Sequence, residues 1–246
     1  MHKILHSLFL ILILGLIWES TILLFDLPPY IFPSPKQVIN ALIQYHSVLF
    51  EHGTQTLLEI LAGLFVGTIL GIVTAIFLFY NKVLSRLLLP ILLISQAIPI
   101  FAIAPILVLW FGFGFFSKLV MTTIIIFFPI TSNVFDALKN TPQEMIFIAK
   151  SCGATPLQIL THVRLPAALP AVGSGIRIAA TIAPIGAVVG EWVGASHGLG
   201  YLMLISNARM QSDMLFAALS VLIFMTLTLY FMIDKSLKKF IFWNGN

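Results

Sequence analysis

The sequence predicts an all-α integral membrane protein of about six transmembrane helices, with a pair of short cytoplasmic helices between the fourth and fifth spans. Three observations predict it. Of 246 residues, 59% are hydrophobic and 9% charged, where a soluble domain carries roughly 25% charge; mean hydropathy is +1.06. Apolar runs of about twenty residues, the length that crosses a hydrocarbon core, recur along the chain. Between two of them stands a polar-edged stretch that does not belong in a bilayer, residues 141–166, TPQEMIFIAKSCGATPLQILTHVRLP.

The first expected span covers residues 4–25. The N-terminus looks like a secretory signal, but no small-x-small cleavage site follows and the apolar run continues, so the helix is read as retained. Residues 26–53 form a loop segment, opened by Pro28-Pro29 and Pro33-Ser34-Pro35 and holding a short surface helix over 36–49. In the second span, 54–80, Gly63, Gly67 and Gly71 lie four apart on one face, which lets another helix approach closely or lines a pathway. A short polar turn, 81–86, leads to the third span, 87–110. Its Pro90, Pro99 and Pro105 make it kinked or broken. Ser95 and Gln96, just before Pro99, place polar side chains beside freed backbone groups, as along an aqueous path. A tight turn with Gly112 and Gly114 precedes the fourth span, 118–137, where Pro129 permits a bend. The fifth span is 168–190. Residues 191–213 are too polar to cross and read as a loop with one partly inserted helix over 199–208. The sixth span, 214–233, is followed by a basic tail. The expected organisation is an N-terminal helix and periplasmic loop (1–50), a transmembrane domain (51–240) and a cytoplasmic tail (241–246).

Six spans put both termini on one side, and the distribution of basic residues says which. With the N-terminus cytoplasmic, Lys3, Lys82, Arg86, Lys139, Lys150, Arg164, Lys235, Lys238 and Lys239 fall inside. Only Lys36, Lys118 and Arg209 fall outside, and Arg177 lies within the fifth span. The same orientation places residues 141–166 in the cytoplasm.

That stretch reads as two short helices around a glycine. Thr141-Pro142-Gln143-Glu144 has a capping threonine, proline at the first helical position and a carboxylate three residues after the cap. Met145, Ile148, Ala149 and Cys152 follow at the spacing of one apolar face. Gly153 is the natural stop. Thr155-Pro156-Leu157-Gln158 is a second capping box, whose helix is expected to end near Arg164 because Pro166 disfavours helical geometry at Leu165. Lys150 and Arg164 suit the C-terminal ends of these helices. Helices so short need bracing. Either the segment is a linker lying on its own protein, or it docks a partner.

Other chemistry is thin. A single cysteine, Cys152, excludes an intramolecular disulfide, and no metal-ligand spacing and no G-x-x-x-x-G-K-[ST] loop occurs. The chain therefore needs an energy source outside itself. His2, His6, His46, His52, His162 and His197 sit near span ends or in loops, and no nucleophile–base pair can be assembled. Arg177, about ten residues into the fifth span, either faces a pathway or snorkels to the cytoplasmic face. Glu59 reads as an interfacial group. Glu191 and Trp192, with the glycines after them, stand at the outer mouth of the fifth span as gate or anchor.

Gly153, Val163, Leu165 and Pro166 match the glycine, aliphatic and Leu-Pro positions of the EAA loop, the cytoplasmic signature of binding-protein-dependent ABC importer permeases. Where that loop has Glu-Ala-Ala, this chain has Phe147-Ile148-Ala149, so only the last alanine matches. Further runs extend the resemblance over residues 51–240: Ser95-Gln96-Ala97-Ile98-Pro99, Trp110-Phe111-Gly112-Phe113-Gly114, Gly190-Glu191-Trp192-Val193-Gly194 and Gly198-Leu199-Gly200-Tyr201-Leu202. They resemble the group that includes nitrate, sulfonate, taurine and thiamine-pyrimidine importers. The run 190–202 and Asn207-Ala208-Arg209-Met210-Gln211 are most similar to members handling thiamine precursors such as hydroxymethylpyrimidine.

The resemblance implies a permease subunit of a bacterial inner membrane, without its own ATPase. It would pair with a second copy, two ATPase subunits carrying ATP and Mg, and a periplasmic or lipid-anchored binding protein; no nucleic acid is involved. It assigns the ATPase-coupling role to Ala149, Gly153, Ala154, Thr155, Pro156, Leu157, Val163, Leu165 and Pro166. Candidates for the translocation path are Ser95, Gln96, Pro99, Arg177 and Thr181, with Thr122 and Thr123; candidates for a periplasmic gate are Glu191, Trp192, Gly194, Gly198 and Gly200. An ion-coupled secondary transporter is the competing class, and it calls for repeats and paired carboxylates that the spans do not offer.

Overall fold

A computed structural model describes the chain from His2 to Ile241. The side chains of residues 2–8 and 10–12 and the tail 242–246 lie outside the described residues, and with them Lys3, part of the expected first span and nearly all of the expected tail. Among the described residues there are eleven α-helices and no strand: α1 His2–Phe25, α2 Pro35–Gln44, α3 His46–Tyr80, α4 Lys82–Ser95, α5 Ile100–Phe111, α6 Phe115–Lys139, α7 Gln143–Ser151, α8 Pro156–Ile159, α9 Leu165–Gly194, α10 Leu199–Ala208 and α11 Ser212–Phe240. A π-helical turn, Leu160–Arg164, joins α8 to α9. Among the described residues α3, α6, the run Pro156–Gly194 and α11 are long and apolar enough to cross a bilayer, and α4 with α5 qualifies as a pair bent by 102°. These are the expected second, fourth, fifth, sixth and third spans. Of α1, Ile13–Phe25 is described as a shorter apolar helix.

Several boundaries differ from expectation, each for a local reason. The surface helix expected over 36–49 is split at Tyr45, so α3 begins at His46 and runs 35 residues. The polar turn expected over 81–86 shrinks to Asn81, whose side-chain oxygen accepts from Leu84 N–H at 3.0 Å and restarts the helix at once. The third span breaks as its prolines require. α4 stops at Ser95, and Pro99, with no N–H to give, holds extended geometry (φ −61°, ψ 130°) before α5. Pro90 and Pro105 remain inside α4 and α5. Gly112 and Gly114 then turn the chain at φ +79° and +133°, a region that favours glycine.

The described chain divides into two compact units, to both of which α3 and α11 contribute. In the first, residues up to Thr56 with Ser196–Phe224, the rings of Trp18, Phe32 and Phe216 pack with centroids 5.6–5.7 Å apart, and Trp18 Nε1 donates to Pro33 O at 2.9 Å. Ser34 and Gln37 form a capping box on α2. His52 Nδ1 accepts from Gly198 N–H at 3.0 Å and Thr56 Oγ1 from Leu199 N–H at 2.8 Å, which fixes the start of α10.

The second unit, Leu57–Ala195 with the chain from Met225, is built on α6. Two four-residue ladders meet along it. A Cβ on Gly63 would lie 2.4 Å from Thr122, one on Gly67 3.1 Å from Ile126, and one on Gly71 2.8 Å from Ile130. One rung further, Lys118 meets Glu59. Positions rise together on both helices, so α3 and α6 run parallel, and the bent α4–α5 pair returns the chain between them. On the other flank α9 runs antiparallel: a Cβ on Gly190 would lie 3.0 Å from Lys118, on Gly186 2.7 Å from Thr122, and on Gly175 3.6 Å from Asn133. Small residues on both neighbours thus let their backbones close on α6. The buried core of Ile60, Leu78, Ile126, Ile130, Leu138, Ala180 and Ala187 lies along this seam.

Candidate functional site

At the C-terminal end of α6 the chain leaves the core for α7 and α8. Thr141, expected to cap α7, does not: its hydroxyl donates back to Ala137 O at 3.3 Å and Leu138 O at 3.1 Å, and Pro142 holds the capping position without a side-chain bond. The hydroxyl thereby satisfies carbonyls in the last turn of α6 that lack partners within that helix. Gly153 ends α7 as expected, at φ +79°. Gly153 N–H bonds Lys150 O at 2.9 Å and Ala154 N–H bonds Ala149 O at 3.0 Å, the paired bonds of a Schellman stop. The second capping box forms in full: Thr155 N–H donates to Gln158 Oε1 at 2.8 Å, and Thr155 Oγ1 accepts from Gln158 N–H at 3.3 Å.

Held in this way, the segment presents apolar side chains outward. Ile146 is buried and ties α7 to its own protein, whereas Met145, Phe147, Ile148 and Leu157 are 50%, 64%, 66% and 64% exposed. Cys152, which follows the last residue of α7, is exposed too.

The expected helix end near Arg164 does not occur. Leu165 keeps helical geometry (φ −63°, ψ −48°), and α8, the π-turn and α9 make one rod, Pro156–Gly194, of 39 residues. Pro166 would drive its ring into the carbonyl four residues back in an ordinary helix. Here the turn before it is widened, with Leu165 N–H bonding Leu160 O five residues back. Arg164 does not serve its own helix end: its Nη1 donates to Leu138 O at the end of α6, and its guanidinium lies 4.7 Å over the ring of Phe79 at the end of α3. Val163 is half-buried beside it.

Of the path candidates, Ser95, Gln96 and Pro99 lie together in the α4–α5 break, and the Ser95 hydroxyl donates to Leu92 O at 2.7 Å. Arg177 and Thr181 sit one turn apart on α9. Thr181 is exposed and donates to Ile178 O; Arg177 Nε donates to Asp234 Oδ1, both at 2.7 Å, and Lys238 bonds the other Asp234 oxygen at 2.8 Å. Asp234, which sequence reasoning missed, thus partners Arg177. Among the described residues no hydrogen bond joins the two groups. Thr122 is buried and donates to Lys118 O at 2.9 Å. Of the gate candidates, Glu191 is wholly buried, Trp192 is exposed with its ring 5.7 Å from Phe101, and Gly194 lets α9 pass Val108, whose methyl lies 2.8 Å from where a Cβ would be. Gly198 and Gly200 are buried at the start of α10.

Glu59 and Lys118 form a pair buried inside the protein. Lys118 Nζ donates to Glu59 Oε1 at 2.6 Å with both side chains at 4% exposure or less. The signal was in the spacing: Glu59 precedes Gly63, Gly67 and Gly71 at the same interval of four, so it shares their packed face.

Residues 67–240 match the family described as "Binding-protein-dependent transport system inner membrane component". The chain belongs to this family. It is an ABC importer permease subunit, an all-helical, multi-pass membrane protein. It is 52% identical to a probable ABC transporter permease of Haemophilus influenzae over 97% of this chain and 98% of that one. A formylaminopyrimidine transport permease, ThiX of Halalkalibacterium halodurans, is 41% identical over 77% of this chain and 76% of its own, and a riboflavin permease, RibX of Chloroflexus aurantiacus, 36% over 89% and 83%. Among solved structures, a chain of the MetNI methionine ABC transporter, in an inward-facing conformation, shares the fold with a TM-score of 0.70 at 23% identity, over 80% of this chain and 97% of that one.

Proposed function

We propose that this permease imports a small nitrogen-heteroaromatic vitamin precursor of the thiamine-pyrimidine type, delivered by a binding protein and driven by two ATPase subunits that dock on α7 and α8. The observation that carries the docking is the outward exposure of the apolar side chains of Met145, Phe147, Ile148 and Leu157 on helices fixed by Gly153 and Thr155. Apolar side chains presented to water, with Phe147-Ile148 where the EAA loop has Glu-Ala, suit insertion into a cleft of a partner. ATP and Mg would sit on that partner, and a second copy of this chain would complete the pathway. The excess of Lys and Arg on the side of residues 141–166 supports a cytoplasmic location for that end and for both termini. The bent α4–α5 segment with Ser95, Gln96 and Pro99 is the proposed lining of the path, and the end of α9 from Glu191 to Gly194 its proposed outer gate.

The pyrimidine class is supported by the similarity to ThiX and by the resemblance of residues 190–202 and 207–211 to thiamine-precursor members. Uptake by inverted-topology-controlled vesicles holding permease, ATPase and binding protein tests it. ATP-dependent accumulation of labelled hydroxymethylpyrimidine, unaffected by excess taurine or nitrate, is the expected result. Accumulation of labelled taurine instead would move the substrate to the sulfonate members. Accumulation that follows an imposed ion gradient without ATP would replace the mechanism altogether.

A further inference from the structure

We infer that Arg164 is the positioning residue that carries movement of the docked helices into the transmembrane core, a role that rests on the docking reading above. Four observations converge on it. Arg164 lies in the π-turn between α8 and α9, on the one rod that runs from the docking segment to the buried end at Glu191. Its guanidinium donates to Leu138 O, in the last turn of α6. The same guanidinium lies 4.7 Å over Phe79, next to last in α3. Leu138 O also receives the Thr141 hydroxyl at 3.1 Å, so one carbonyl joins the way into the docking segment to the way out.

The chemistry fits a strut better than a mere helix cap. A guanidinium donates hydrogen bonds in its plane and stacks through its face, so it can grip a carbonyl and a ring at right angles together. The acceptor is an orphan carbonyl at the negative end of the α6 dipole, which strengthens a charged donor. A lysine can reach the carbonyl but cannot also lie flat on the ring. The widened turn departs from the regular ladder, a feature often found where helices do work. Displacement of α8 is therefore passed along the α9 rod and, through Arg164, sideways into the ends of α3 and α6 at once.

Hydrogen exchange on the intact permease–ATPase complex, with and without ATP plus vanadate, tests this. The parent is expected to change exchange in the α4–α5 break, residues 92–101, on nucleotide trapping. R164M is expected to retain the ATPase and its hydrolysis while that nucleotide-dependent change shrinks roughly 2- to 30-fold. R164K and F79L, which both keep the bond to Leu138 O and give up the stack on the ring, are expected in between. They decide the matter if R164M fails to insert. The parent's full response in R164M, or in both milder variants, overturns the inference. Loss of the ATPase from R164M also overturns it, by making Arg164 a docking contact instead. Failure of the parent itself to hold an ATPase strikes the docking reading, not Arg164 alone.

Discussion

The two ends of α6 are built on opposite plans. Lys118 and Leu138 are twenty residues apart on one helix, about 30 Å, the thickness of a hydrocarbon core. Around Lys118 everything is filled: Glu59 pairs with it, Gly63 and Gly186 close on Thr122, and Gly190 closes on Lys118 itself. Around Leu138 the chain leaves the core and returns, and the helices between hold on by Ile146, Thr141 and Arg164 while Phe147, Ile148 and Leu157 face outward. The packed end is where substitutions cost stability. At the open end they cost partnership instead, and each experiment below breaks or sharpens that contrast.

The largest effect is expected at the ion pair. K118M leaves the Glu59 carboxylate buried without its ammonium, and breaking a buried pair costs about 3–5 kcal/mol. The double change E59L with K118M removes both charges and is expected to recover most of that loss, read as unfolding midpoint in detergent. A double variant no better than K118M would mean that packing, not charge, holds this end.

Next comes the glycine ladder. Gly63→Ala puts a Cβ 2.4 Å from Thr122 Cγ2, well inside van der Waals contact. Overpacking of this kind costs about 1–3 kcal/mol, and Thr122→Gly in the same chain should return part of it. Smaller still is Gly153→Ala. Nothing lies within 4 Å of the added methyl, so only the φ of +79° opposes it. That strain is worth about 1–2 kcal/mol, and Gly153→Asn should lose less. The melting temperature of the purified permease and exchange of the Ala154 amide report both.

Much of this was legible because it is local. The Thr155 box forms, Gly153 stops α7 and Pro99 breaks the third span, each set by residues within four positions, and the helix over 199–208 has the expected bounds although His52 and Thr56 hold its start from far along the chain. Competition between near neighbours was harder to read. Thr141 can cap the helix after it or bond the one before it, and the short link from Lys139 decides for the latter. Pro166 reads as a helix stop, yet a single π-turn absorbs its ring. Pairings at long range were half visible. Glu59 shares the spacing of the three glycines, but nothing near Lys118 says that it is the opposite rung, and Asp234 gives no local sign of meeting Arg177 across 57 residues.

The most direct test of the account is a pull-down from gentle detergent with F147D and I148D combined. Both side chains are exposed, so stability should stay within about 0.5 kcal/mol of the parent, while the ATPase subunit that accompanies the parent is lost. An ATPase retained at the parent's level, with both acids in place, would contradict the claim that this face is where the partner docks.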